Sequence, residues 1–153
     1  MKKNARLQLA FQMMNEIGII QQLSVTELNR RLPDSVHFSH FTVINHLSRL
    51  GDGRTPRRIA DALQVTKATM TNTLTRLTGL GFIEVRDNPG DGRSKLVYLT
   101  AKGEDFRNRA LASLQPLLEQ MDKALDLERI TTILPQLQEL REYLDNNRDA
   151  PAD

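Results

Sequence analysis

The sequence predicts a mainly α-helical protein with one small β-hairpin, and three observations predict it. Apolar residues recur at three- and four-residue steps along most of the 153 residues. The period changes to two only after Gly81, in Phe82-Ile83-Glu84-Val85 and again in Leu96-Val97-Tyr98-Leu99. Two short helical patterns stand in tight succession just before that change.

From residue 4 to 32 the chain reads as one long helix, with Leu7, Phe11, Met14, Ile17, Ile20 and Leu23 recurring at helical steps and Pro33-Asp34 marking its end. A second helix is expected over 39–50, with Phe41, Ile44, Leu47 and Leu50 on its buried face, followed by the loop Gly51-Asp52-Gly53. Thr55-Pro56 is a start signal, because Thr caps free amides and Pro suits the first helical turn. Ile59, Ala60 and Leu63 give that short helix its buried side. The turn Gln64-Val65-Thr66 leads into a helix over 67–80, with Thr66 as N-cap and Met70, Leu74 and Leu77 facing the core.

Gly81 stops that helix. Asp87-Asn88-Pro89-Gly90-Asp91-Gly92 is dense in turn formers, so the two alternating runs make a hairpin with a long polar tip. Thr100 caps a further helix over 101–124, with Phe106, Ala110, Leu114, Leu117 and Met121 on one side and a kink or break expected at Pro116. A last helix is expected from Asp126 to Asn146, with Pro135 counting against its continuity and a frayed tail over 147–153.

The order helix, helix, tight turn, helix, hairpin, helix is a winged helix-turn-helix. The expected organisation is an N-terminal dimerisation helix (1–36), a winged helix-turn-helix domain (37–100) and C-terminal dimerisation helices (101–153). The terminal segments hold Leu, Ile, Met and Phe stripes that a small winged core cannot cover, which points to pairing of two copies.

Composition narrows the function. The chain is 39% hydrophobic and 26% charged, with no apolar run of the roughly 20 residues a membrane-spanning helix needs. The basic start Met1-Lys2-Lys3-Asn4 is followed by no apolar signal core. The absence of cysteine removes disulfides, thiolate metal sites and thiol redox sensing, and fits the cytoplasm. No nucleophile–base pair, Gly-rich phosphate loop or paired-carboxylate motif stands out, so no enzyme activity and no cofactor are expected.

Net charge is only +2, but its distribution is uneven. Between Arg54 and Thr100 stand eight Lys and Arg against four acids, so this stretch nets +4 and the remainder −2. With Met70, Leu74 and Leu77 buried, the opposite face of the 67–80 helix presents Thr66, Lys67, Ala68, Thr69, Thr71, Asn72 and Arg76. Five Thr between Thr66 and Thr75 are poor helix formers, and no acid lies between Gln64 and Phe82. A B-DNA major groove admits one helix, Asn pairs bidentately with adenine, and Arg reaches guanine or backbone. Arg93 at the hairpin tip, with Lys95 beside it, suits the narrow minor groove, and Asp91 is expected to orient Arg93 or a neighbouring Arg by a salt bridge. His37-x-x-His40 raises a metal reading, but it sits at a helix entrance with no thiolate or helical His-Glu-x-x-His pattern. We assign these residues a capping or surface role and no metal site.

The run Asp91-Gly92-Arg93-Ser94-Lys95-Leu96-Val97-Tyr98-Leu99-Thr100 resembles the wing signature of the MarR (multiple antibiotic resistance regulator) family. Ile59-Ala60-Asp61-Ala62-Leu63-Gln64-Val65-Thr66 and Leu77-Thr78-Gly79-Leu80-Gly81-Phe82-Ile83 match it in the same order. The resemblance covers nearly the whole chain. It implies a triangular homodimer on a pseudo-palindromic double-stranded DNA operator, acting as a transcription regulator and most often a repressor. It implies that Thr66, Ala68, Thr69, Asn72 and Arg76 face the groove and that Arg93 is the wing tip. It also implies a small aromatic effector, bound among the N-terminal, 39–50 and 101–124 helices. The chain departs from the family at Val85 and Gly92, where Arg is common, and at Gly79, where Glu is common, so fewer phosphate contacts and a looser helix end are expected. Two other readings stay open at this stage: a winged helix used for protein contacts, and a nonspecific architectural DNA binder. Steep weakening with salt separates phosphate binding from the first, and preference for one duplex sequence separates an operator reader from the second.

Overall fold

The helical spacing of the N-terminal segment becomes α1, Lys3–Arg31, in the computed structural model, which describes residues 3–148. A 3-10 turn at Pro33–Ser35 follows, where Asp34 and Ser35 both take positive φ. The remaining elements are α2 (Phe38–Leu50), α3 (Pro56–Ala62), α4 (Lys67–Gly79), β1 (Ile83–Asp87), β2 (Lys95–Leu99), α5 (Ala101–Ala124), α6 (Leu127–Thr131) and α7 (Leu134–Asn146). Backbone contacts divide the chain into two compact units, with the division between Leu114 and Gln115.

In the first unit, α2, α3, α4, the hairpin and the start of α5 enclose one core. Ile44, Leu47, Ile59, Met70, Leu77, Val97 and Phe106 are its most deeply buried large side chains. Phe82 stacks on Phe106 with ring centroids 4.6 Å apart. The strands are antiparallel, with Ile83 opposite Leu99 and Asp87 opposite Lys95. The sheet is extended by Arg54, whose carbonyl accepts from Val97 N–H at 2.9 Å while Gly53 N–H donates to Val97 O at 2.8 Å. The loop before α3 therefore forms a bridge that alternation alone did not signal. Asp52 adds to it by accepting from Leu99 N–H at 3.1 Å.

The caps fall where the sequence placed them. Thr55 Oγ1 accepts from Arg58 N–H at 3.3 Å, and Thr66 Oγ1 accepts from Thr69 N–H at 3.1 Å. Thr100 does more than cap α5. Its Oγ1 accepts from Gly103 N–H at 3.0 Å and donates to Gly81 O at 2.7 Å, and its N–H donates to Phe82 O at 3.1 Å. One residue thus ties the wing's entry to the helix that follows it.

Several expectations are corrected. Leu50, placed on the buried face of α2, is exposed because it is the last residue of the helix and Gly51, at φ 86°, turns the chain away. Phe82 belongs to the core rather than to the first strand, which begins at Ile83 and runs on to Asp87. No break occurs at Pro116: α5 runs through it, and the missing proline N–H deprives only the Ala112 carbonyl of its helical partner. Leu117 and Met121, expected to continue the buried side of α5, are not buried. The last helix is two, because Pro135 cannot supply an interior amide and instead sits in the first turn of α7. Of the tail, Asn147 closes α7, and residues 149–153 lie outside those described.

None of the residues of α1 is buried, although Leu28 packs against the core and Leu32, just beyond the helix, is buried. Leu7, Phe11, Ile20 and Leu23 stand 59–76% exposed along it. In the second unit, α6 and α7 likewise bury nothing, and Ile130, Ile133, Leu134, Leu137, Tyr143 and Leu144 are exposed. No described helix is long and apolar enough to cross a membrane.

The histidines belong to α2 and its entrance. His37 is the N-cap: Nδ1 accepts from Ser39 N–H at 3.2 Å, and Nε2 lies 3.0 Å from Asn29 Nδ2. Nδ1 is engaged in the cap and Nε2 with the Asn29 amide, and no group of three or more metal-ligating side chains exists among the described residues. His40 Nδ1 and His46 Nε2 are buried without a hydrogen-bond partner among the described residues. Burial holds both rings below the ordinary value of 6.5, helped by His37 and Arg76 around His40 and by Arg54 and Arg49 around His46. Below that ordinary value the unfolded chain takes up protons that the folded chain resists, so stability falls as pH falls. The melting temperature is expected to be lower near pH 5.5 than near pH 7.5, and His40→Gln/His46→Gln to flatten the difference. A melting temperature that rises on acidification would contradict this.

Candidate nucleic-acid interface

α4 turns its two faces to different surroundings. Met70, Thr73, Leu74 and Leu77 are buried against the first unit's core. Thr66, Lys67, Ala68, Thr69, Thr71, Asn72 and Arg76 are all exposed on the other side. Thr73 is the residue the apolar pattern missed, since a Thr among exposed Thr carries no periodic signal.

The hydroxyls of the outward face are not equivalent. Thr71 Oγ1 donates to Lys67 O and Thr75 Oγ1 to Thr71 O, each at 2.9 Å. Their donor protons are used within the helix, so outward they present acceptor lone pairs and methyl groups. Such a surface suits base amino groups and thymine methyls better than phosphate oxygens, which only accept. Lys67, Asn72 and Arg76 supply the donors, and none of them forms an ion pair among the described residues.

The wing tip is held by its own backbone. Asn88 Oδ1 accepts from Gly90 N–H at 3.0 Å, Asn88 Nδ2 donates to Ser94 Oγ at 2.9 Å, and Ser94 N–H donates to Asp91 O at 3.1 Å. Asp91 does not make the expected salt bridge to Arg93. Its Oδ1 accepts from Arg93 N–H at 3.0 Å, and it forms no ion pair among the described residues. A carboxylate two residues before an amide is spaced for such a turn, and using the backbone leaves the exposed Arg93 guanidinium unpaired. Lys95 is not free in the same way: its ammonium pairs with Asp87 across the hairpin, and that contact lowers the Asp87 carboxyl below its usual range. Beside that pair Arg86 engages Glu84 and lies 4.2 Å over the Tyr98 ring. Val85, between them in the sequence, is exposed and offers no cation.

A helix presented outward after a tight turn, with an ordered hairpin on its flank that carries Arg93 at its tip, defines a winged helix-turn-helix protein. Residues 35–94 match the model described as the MarR family. The fold agrees with a mutant of MarR from E. coli complexed with operator DNA, at TM-score 0.76 and 25% identity, covering 84% of this chain and 92% of that one. It agrees also with the transcriptional regulator BldR from Sulfolobus solfataricus, at TM-score 0.73 and 24% identity over 89% and 99% of the two chains. A structure of reduced AbfR bound to DNA superposes at TM-score 0.81 with 19% identity, over 94% and 99%. No curated protein sequence matches the chain. Residues 35–94 are thus similar to the MarR family, and the chain has the winged-helix fold of these structures.

Proposed function

We propose that this chain is a sequence-specific, double-stranded DNA-binding transcription regulator that acts as a homodimer. The observation that carries the reading is the outward face of α4, exposed and free of acids, with the guanidinium of Arg93 on the wing in no ion pair among the described residues. α4 enters the major groove, with Thr66, Lys67, Ala68, Thr69, Thr71, Asn72 and Arg76 against bases and backbone. The hairpin reaches the neighbouring minor groove through Arg93, with Lys95 behind it and Asp91 fixing the turn. The operator complex of E. coli MarR supports the DNA-binding part of the reading.

Residues 1–36 and 101–153 form the dimerisation segments in this reading. Support comes from the apolar side chains of α1 and of α6 and α7 that stay exposed among the described residues. Exposed apolar area on this scale marks an interaction surface, and two-fold pairing doubles the base pairs read, on a pseudo-palindromic operator. Repression, with release by a small aromatic effector, follows from the family resemblance. Sedimentation should give twice the chain mass, and a labelled mixed-sequence duplex should bind with affinity that falls steeply as salt rises. Monomeric protein, or binding indifferent to salt, would overturn the corresponding part. A thermal-shift screen of aromatic acids should find at least one stabilising compound, and a flat screen would remove the effector.

A further inference from the structure

Between α3, the start of α4 and the wing lies a cavity of about 520 Å³. Arg57, Lys67, Arg93 and Lys95 line it, together with Thr71 and a single carboxylate, Asp61. Arg57 and Asp61 stand one turn apart on α3, whose Ile59 and Ala60 face the core. Their side chains are 91% and 63% exposed, and the Arg57 Nε to Asp61 Oδ2 distance is 3.8 Å. A contact that long between exposed groups holds little, so Arg57 is free to turn to another anion.

The duplex itself says which anion passes here. In B-DNA the major and minor grooves alternate, and one sugar-phosphate strand runs along each boundary between them. A protein with a helix in one groove and a hairpin in the next straddles that strand. The cavity lies between those two elements and carries four cations against one carboxylate. Resting on the DNA-binding reading, we infer that this cavity seats the sugar-phosphate strand between the grooves. Arg57 is then a phosphate-binding residue, and Asp61 is an opposing charge that holds affinity down. Lys95 contributes less, because Asp87 already engages it.

The test measures affinity for one fixed mixed-sequence duplex of about 30 base pairs across a salt series, for wild type, Arg57→Gln, Asp61→Asn, the double variant and Arg93→Ala. Arg57→Gln should lower the slope of log affinity against log salt by about one unit per bound protomer, in the wild-type and Asp61→Asn backgrounds alike. Over a fourfold change in salt, that alters the ratio of wild-type to variant affinity by roughly fourfold per protomer. Asp61→Asn should raise affinity. Circular-dichroism melts of these variants should match wild type, both side chains being exposed. If Arg57→Gln has no effect once Asp61 is Asn, Arg57 only neutralises its neighbour and the inference falls. A wild-type slope for Arg57→Gln beside a reduced one for Arg93→Ala overturns the cavity assignment and leaves the DNA-binding reading standing. Absence of salt-sensitive binding by wild type removes both.

Discussion

Gly103→Ala should destabilise the protein by about 3 kcal/mol or more, lowering its melting temperature by roughly 10 °C at fixed protein concentration. The reason is geometric. A Cβ at position 103 would stand 2.1 Å from the Phe82 carbonyl oxygen and 2.7 Å from Leu99 Cδ1. The Leu99 side chain can turn aside, but the Phe82 backbone cannot give way cheaply. Phe82 O accepts the Thr100 amide, and the Phe82 ring is stacked in the core on Phe106. The first turn of α5 would have to lift from the hairpin, and with it the Thr100 hydroxyl that joins Gly81 O to Gly103 N–H. Gly79→Ala is the matched control. Nothing lies within 4 Å of its Cβ position at the end of α4, so it should be neutral or stabilise by about 0.5 kcal/mol. Denaturant melts of both variants check the pair. Similar stabilities for the two would mean that the approach of α5 to the wing is not as tight as described.

The second large effect concerns which contacts read sequence and which only hold. Asn72→Ala should remove discrimination of about 1–3 kcal/mol at one base pair of each half-site, a factor of roughly 5 to 150 per half-site. Binding to unrelated duplexes should change little, because an uncharged side chain releases no counterion. Arg93→Ala should do the opposite. Its guanidinium is exposed at the wing tip and paired with no acid among the described residues, so its loss weakens binding across sequences and lowers the salt slope by about one unit per protomer. Affinities of both variants for a selected and a scrambled duplex, each at two salt concentrations, separate the two behaviours. A uniform loss for Asn72→Ala would place that residue on the backbone. An unchanged slope for Arg93→Ala would remove the wing from the interface.

Most of the helical scaffold was legible because burial in the first unit follows period. Met70, Leu74 and Leu77 are buried as their spacing implies, and the caps at Thr55, Thr66 and Thr100 lie where side-chain chemistry puts them. The less legible parts depend on partners distant in sequence. The bridge from Arg54 to Val97 follows from the return path of β2, not from a strand pattern. The closeness of Gly103 to Phe82 was signalled only by a glycine in the first turn of a helix, where any good helix former would otherwise serve. In the candidate site, the residues were visible and their pairing was not. Asp91 and Asp87 are both carboxylates near cations, yet one accepts from an amide while the other binds Lys95. Which acid meets which cation depends on the hairpin register, and that was fixed only by the pairing of Asp87 with Lys95 across the sheet. The part played by Arg57 was hidden for the same reason, since Thr55-Pro56-Arg57-Arg58 reads as a helix start and the cavity exists only once the wing folds over it.

Selection of duplexes from a random library by the purified protein, at a low and a high salt concentration, tests the central claim most directly. A homodimer that reads with α4 should recover an inverted repeat with half-site centres about one helical turn apart, and should lose it at high salt. Retention without any enriched sequence, or no retention at either salt, would contradict a sequence-specific DNA-binding regulator.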